Sequence, residues 1–91
     1  ITIDTDILEA AHLLPLEYVY IWNKHSGSRI ETYVLPGPRG SGVVCLNGAA
    51  ARFVSVGDKV IIMAYELIDE PIHAKVLLVD SENKVARELI Y

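Results

Sequence analysis

The stretch Ile21-Trp22-Asn23-Lys24-His25-Ser26-Gly27-Ser28-Arg29-Ile30-Glu31-Thr32-Tyr33 has the form of a β-hairpin. Two apolar-bearing runs flank a polar turn, Lys24 to Ser28, in which Gly27 supplies the positive φ such loops need. Side chains alternate faces along a strand. Arg29, Glu31 and Tyr33 therefore share one face of the returning strand, and Ile30, Thr32 and Val34 share the other. A guanidinium, a phenol and a nearby hydroxyl beside a tight turn are parts for holding a small anion and moving a proton. They are equally the ordinary surface of a hairpin.

Upstream, Ile1-Thr2-Ile3 alternates and reads as a strand. Asp4-Thr5-Asp6 offers helix-capping carboxylates, and Ile7 to Leu14 carries apolar residues at Ile7, Ala10, Ala11 and Leu14, one helical face. Pro15 ends that helix, and Tyr18 to Trp22 is the strand that enters the hairpin. Downstream, Pro36 to Gly42 is a loop rich in proline and glycine, and Val43 to Leu46 is a short buried strand containing the single cysteine, Cys45. Asn47-Gly48 signals a turn, and Ala49-Ala50-Ala51 a short helical turn whose opening amides lack partners. Val60 to Leu67 and Ala74 to Val79 read as strands; Val85 to Ile90 reads as a strand or a helical turn. Six or seven short strands with two short helices, in one domain spanning residues 1–91, predict a small, mainly antiparallel β-barrel or sandwich.

Composition narrows the function classes. Net charge is −4 with an isoelectric point near 5.2, so no basic stripe is available for nucleic acid or an anionic membrane. No apolar run approaches the length of a membrane span, and no signal peptide is evident. One cysteine excludes an internal disulfide, and three scattered histidines give no metal-ligand spacing. The glycines of 37–42 lack the Lys-Ser/Thr ending of a phosphate loop. The apolar fraction is 52% and mean hydropathy is +0.31, high for a small domain, which points to oligomerisation or a missing partner segment. Four features keep two readings each. Arg29 is a surface charge or a carboxylate clamp, and Tyr33 a packed aromatic or a proton donor. Asn47 to Ala50 is a plain turn or a backbone cradle, and Trp22 is core or site.

Taken in order, Asp4-Thr5-Asp6-Ile7-Leu8-Glu9-Ala10-Ala11, Ile21-Trp22-Asn23, Gly27-Ser28-Arg29-Ile30-Glu31-Thr32-Tyr33, Arg39-Gly40-Ser41, Leu46 to Ala51 and Val56 to Ile62 resemble the α chain of the pyruvoyl-dependent aspartate decarboxylases. The resemblance covers nearly the whole chain and is weakest after Glu70. It implies a double-psi β-barrel in a homotetramer, with active sites between subunits. It implies a lyase of pantothenate biosynthesis in the cytoplasm, converting L-aspartate to β-alanine and carbon dioxide through a Schiff base. The cofactor it implies is a covalent pyruvoyl group, made by autocatalytic cleavage of a zymogen from a serine immediately before Ile1, with neither metal nor pyridoxal phosphate. A short β chain from the same proenzyme is the implied partner. Residue by residue, Tyr33 becomes the proton donor. Arg29, Thr32, Trp22, Asn47, Gly48, Ala49 and Ala50 become substrate-binding residues. The competing expectations are a non-catalytic β-barrel interaction module and a pyruvoyl decarboxylase acting on another amino acid.

Overall fold

A computed structural model describes residues 1–91. Strand β1 (Thr2–Asp4) runs directly into helix α1 (Thr5–Ala11). Asp4 makes that junction, because its carboxylate caps the helix by accepting the Asp6 amide at 2.8 Å. The helix stops at His12, which takes the left-handed conformation at φ 58° and turns its N–H back onto the Glu9 and Leu8 carbonyls. Helical spacing predicts an apolar face of Ile7, Ala10, Ala11 and Leu14. The helix is instead a turn shorter at its end, so Leu14 lies outside it and is 69% exposed, and Leu8 is the buried residue.

The predicted hairpin is present. Strands β2 (Tyr18–Asn23) and β3 (Arg29–Tyr33) pair antiparallel, with Tyr18 opposite Tyr33 and Trp22 opposite Arg29. Gly27 sits at φ 78° in the turn. The turn is tied to the body by Asn23, which is buried. Its Oδ1 accepts from the His25 and Ser26 amides, and its Nδ2 donates to the Phe53 carbonyl and to Asp58 at 2.9 Å each.

Extended residues continue beyond Tyr33, yet the chain changes partners there. Val34 is fully buried. Its N–H donates to the Glu17 carbonyl at 3.1 Å, and its carbonyl accepts from Leu16 at 2.7 Å. Strand β4 (Leu35–Gly37) then runs parallel to β1, which pairs antiparallel on its other edge with β5 (Val44–Cys45). One predicted strand from Arg29 to Leu35 thus becomes two strands in two sheets. This raises the total to eight, with one α-helix and a 3-10 helix at Gly48–Phe53. Strand β6 (Val60–Met63) completes the β3-β2-β6 sheet, and β7 (Lys75–Val79) pairs with β8 (Val85–Ile90), which settles the last segment as a strand. The strand predicted over Val60–Leu67 ends at Met63, and the Tyr65 ring then packs edge-on against Tyr20 at 5.3 Å.

The architecture is mainly β with two short helices, as the sequence predicts. Ile1, Ile3, Leu8, Val19, Ile21 and Val34 form the core between the two three-stranded sheets and α1. Cys45 corrects another expectation: its thiol is exposed rather than buried. Strand β5 is only two residues long at a sheet edge; Val44 turns inward against the core, so Cys45 turns outward. The 36–42 loop is also more constrained than its composition suggests. Gly40 and Gly42 donate their amides to the buried Asp4 carboxylate at 3.0 and 2.8 Å.

Candidate active site

Alternation along β3 builds the site in two halves. Ile30 and Thr32 point inward and are half-buried, whereas Arg29, Glu31 and Tyr33 are exposed. The inward half faces the 3-10 helix across a cleft of about 380 Å³, lined by Ile30, Glu31, Thr32, Asn47, Ala49, Ala50 and Phe53. Thr32, Asn47, Ala49 and Ala50, drawn from two distant stretches of sequence, therefore meet in one place. Gly48 opens the 3-10 helix at φ 63° beside the cleft without lining it. That backbone conformation is costly for any residue with a Cβ, which accounts for glycine there.

The outward half lies on the other face of the hairpin. The Arg29 guanidinium carbon stands 4.3 Å from the centroid of the Trp22 ring, and the two are cross-strand partners. Stacking orients the guanidinium while leaving its in-plane N–H fork available, and no carboxylate pairs with it. Tyr33 is 53% exposed and directly opposite Tyr18. Partial desolvation by its neighbours, reinforced by the charge of Glu31, pushes the half-exposed Tyr18 phenol above its ordinary range, so this neighbour of Tyr33 stays neutral. Trp22, Arg29 and Tyr33 thus share a surface, and Thr32 with the 3-10 helix faces away from it. Within one chain the seven binding candidates and the proton-donor candidate do not form one pocket.

Strand β1 connects the two halves. The Ile1 nitrogen donates to the Tyr33 carbonyl at 2.9 Å, and the Ile1 carbonyl accepts from Leu35 at 2.8 Å. One residue on, Thr2 Oγ1 accepts from Asn47 Nδ2 at 2.9 Å. Burial lowers the pKa of the Ile1 amine below that of an ordinary α-amino group, so a positive charge at this nitrogen is disfavoured. A neutral amide would keep the bond to Tyr33 without that cost.

Sequence reasoning missed Phe53, Ile30 and Glu31 as cleft residues. Ile30 was recoverable, since it alternates with Thr32. Phe53 was not, because its place depends on its carbonyl accepting Asn23 Nδ2 and Ser28 Oγ from the hairpin turn. No group of three His, Cys, Asp or Glu side chains is arranged to hold a metal ion, and no helix is long and apolar enough to cross a membrane.

Comparison with known proteins is decisive on kinship. The family model for aspartate decarboxylase matches residues 1–86. The chain belongs to the aspartate decarboxylase family. It is 50% identical to the aspartate 1-decarboxylase of Bacillus subtilis (strain 168), over 98% of this chain and 73% of that protein. It is 55% identical to the enzymes so named from Neisseria meningitidis serogroup C, over 99% and 73%, and Staphylococcus aureus (strain Newman), over 100% and 74%. Aspartate decarboxylases of this family are pyruvoyl-dependent carboxy-lyases, and their product β-alanine feeds pantothenate synthesis.

Proposed function

We infer that this chain decarboxylates L-aspartate to β-alanine and carbon dioxide, with a pyruvoyl group carried on the Ile1 nitrogen. Family membership supports the reaction. The structural observation that carries it is the cleft in which Thr32, Asn47, Ala49 and Ala50 meet, with Asn47 tied through Thr2 to the strand that begins at Ile1. A pyruvoyl group there would supply the conjugated carbonyl that accepts the electron pair left on the α-carbon when carbon dioxide departs.

The chain's own residues do the rest. Arg29 clamps a substrate carboxylate with its fork, pre-oriented by Trp22. The Tyr33 hydroxyl returns a proton to the carbon from which carbon dioxide leaves. The Thr32 hydroxyl, the Asn47 side chain and the amides of Gly48, Ala49 and Ala50 hold the polar groups of the substrate from the cleft side. In the zymogen the Thr32 hydroxyl stabilises the oxygen that develops charge at the scissile carbonyl.

The two halves face apart in one chain, so the proposal assigns them to neighbouring copies, with active sites between the subunits of a homotetramer. The exposed surface supports an assembly. It measures 6593 Å², against about 5,300 Å² for a compact monomer of 10.1 kDa. Tyr18, Tyr33, Ile61 and Tyr65 all lie exposed on or beside the β3-β2-β6 sheet. The short β chain of the proenzyme covers further apolar surface in this reading, and the enzyme works in the cytoplasm, where free L-aspartate is available.

The test is intact-mass measurement of protein matured from its proenzyme, run beside an assay for β-alanine. The expected result is an α chain carrying the mass of a pyruvoyl group and aspartate-dependent release of β-alanine. A free amino terminus on fully active material would refute the cofactor assignment. Pyruvoyl-bearing protein that turns over another amino acid but not aspartate would refute the substrate.

A further inference from the structure

Asn47 occupies the residue before the 3-10 helix, the position where asparagine ordinarily caps the first free amides with its side chain. It makes no such bond. Its side chain instead reaches between two residues that face each other across β1 and β5, Thr2 and Cys45. The Nδ2 group donates to Thr2 Oγ1 at 2.9 Å, and the Oδ1 atom accepts from the Cys45 thiol at 3.3 Å. The thiol's other acceptor, the Leu46 carbonyl, is longer at 3.9 Å.

We propose that Cys45 and Thr2 are positioning residues for substrate: together they hold the Asn47 amide out of the helix cap and fix it at the cleft. This rests on the decarboxylase reading of the cleft and assigns roles to two residues outside its lining. A side-chain amide has two N–H donors and two lone pairs. Thr2 takes one donor and Cys45 one lone pair, which leaves one N–H and one lone pair for a ligand. Without the two anchors, the amide is free to rotate and cap the helix. It would then withdraw from the cleft and cover amides that the substrate needs.

Cys45 is exposed, so removing its sulfur opens no cavity and should leave stability almost unchanged. Its effect on turnover is therefore separable from folding. The experiment compares Cys45→Ala, Cys45→Ser, Thr2→Val and Asn47→Ala, each matured from the full proenzyme. Rates are normalised to pyruvoyl-bearing chain by intact mass, and Tm is recorded alongside. Cys45→Ala and Thr2→Val should each raise KM for aspartate about three- to tenfold, with kcat within about twofold, the signature of a lost binding contact. Cys45→Ser keeps a hydroxyl donor to Oδ1 and should restore KM to within about twofold of the parent. Adding Cys45→Ala to Asn47→Ala should change nothing further, because the thiol acts through Asn47. A normal KM in both Cys45→Ala and Thr2→Val overturns the proposal, as does failure of serine to rescue. A parent enzyme that matures but does not release β-alanine from aspartate overturns the underlying reading instead, and the proposal with it.

Discussion

Arg29 and Arg39 are both exposed arginines beside glycine-bearing loops, yet the structure uses them in opposite ways. Arg39 is saturated. Its Nη1 donates to Asp6 and Glu9 at 2.8 Å each, and its Nη2 donates to Glu9 at 2.7 Å. Those bonds raise the Arg39 pKa and lower that of Glu9, so the pair stays charged. Arg29 is oriented by the Trp22 ring and has no carboxylate. The same contrast separates two stretches of small residues. The amides of Gly40 and Gly42 are filled by the Asp4 carboxylate, whereas the 3-10 helix after Asn47 has no side-chain cap. An anion-binding group that already holds an internal anion is structural. One that is pre-oriented and unfilled is available for a substrate.

The sharpest break in this contrast is expected on the hairpin. Tyr33→Phe removes the proposed proton donor and should lower kcat for aspartate by about 10²- to 10⁴-fold, while the pyruvoyl mass and Tm stay near the parent values. Steady-state assays with mass spectrometry check this, and an undiminished kcat removes Tyr33 from that role. Next in size, Arg29→Ala should raise KM for aspartate about tenfold or more. Arg39→Ala, which loses only exposed ion pairs, should leave KM within about twofold and lower Tm by roughly 1–8 °C. Equal kinetic effects from the two arginines would dissolve the comparison.

The smallest expected effect concerns pH. Asp4 has a depressed pKa, chiefly from the Gly42 amide and then from the Asp6 and Gly40 amides, with Lys84 nearby. A group with a lowered folded-state pKa contributes stability above its unfolded pKa, about 3.9, and loses it as pH falls through the folded value. Asp58, held by the Ser55 amide and Asn23, and Asp80, held by the Lys84 and Glu82 amides, are shifted the same way. Melting curves should therefore show Tm falling as pH drops below about 4. Asp4→Asn should have a lower Tm at neutral pH and a shallower fall in acid. A variant whose acid profile parallels the parent would show that Asp4 is not among the groups responsible.

Much of the fold was legible because its signals are local. Period-two alternation located β2 and β3 and assigned Thr32 and Tyr33 to opposite faces. Gly27 marked the turn, and Asp4 marked the start of the helix. What escaped depends on partners distant in sequence. The split at Val34 follows from β2 pairing before it and β1 after it, and nothing in Thr32-Tyr33-Val34-Leu35 announces the exchange. The early end of α1 rests on the left-handed His12, and the outward turn of Cys45 on a two-residue edge strand. The candidate site residues were named through the family resemblance, and alternation along β3 already set Thr32 apart from Arg29 and Tyr33. That Asn47, Ala49 and Ala50 meet Thr32 across one cleft was not legible, because it joins distant stretches of sequence.

By itself, then, the sequence determined the mainly β character, the hairpin, the face each β3 residue takes and the chemical kind of each candidate. These follow from backbone sterics and from side-chain types, which act over a few residues. Only the tertiary structure decided which arginine is neutralised and which stays available, which amides are filled by Asp4, and that Asn47 reaches Thr2 and Cys45 instead of capping its helix. Those outcomes depend on which charge or polar group chain folding brings within about 3 Å, the range at which hydrogen bonds form.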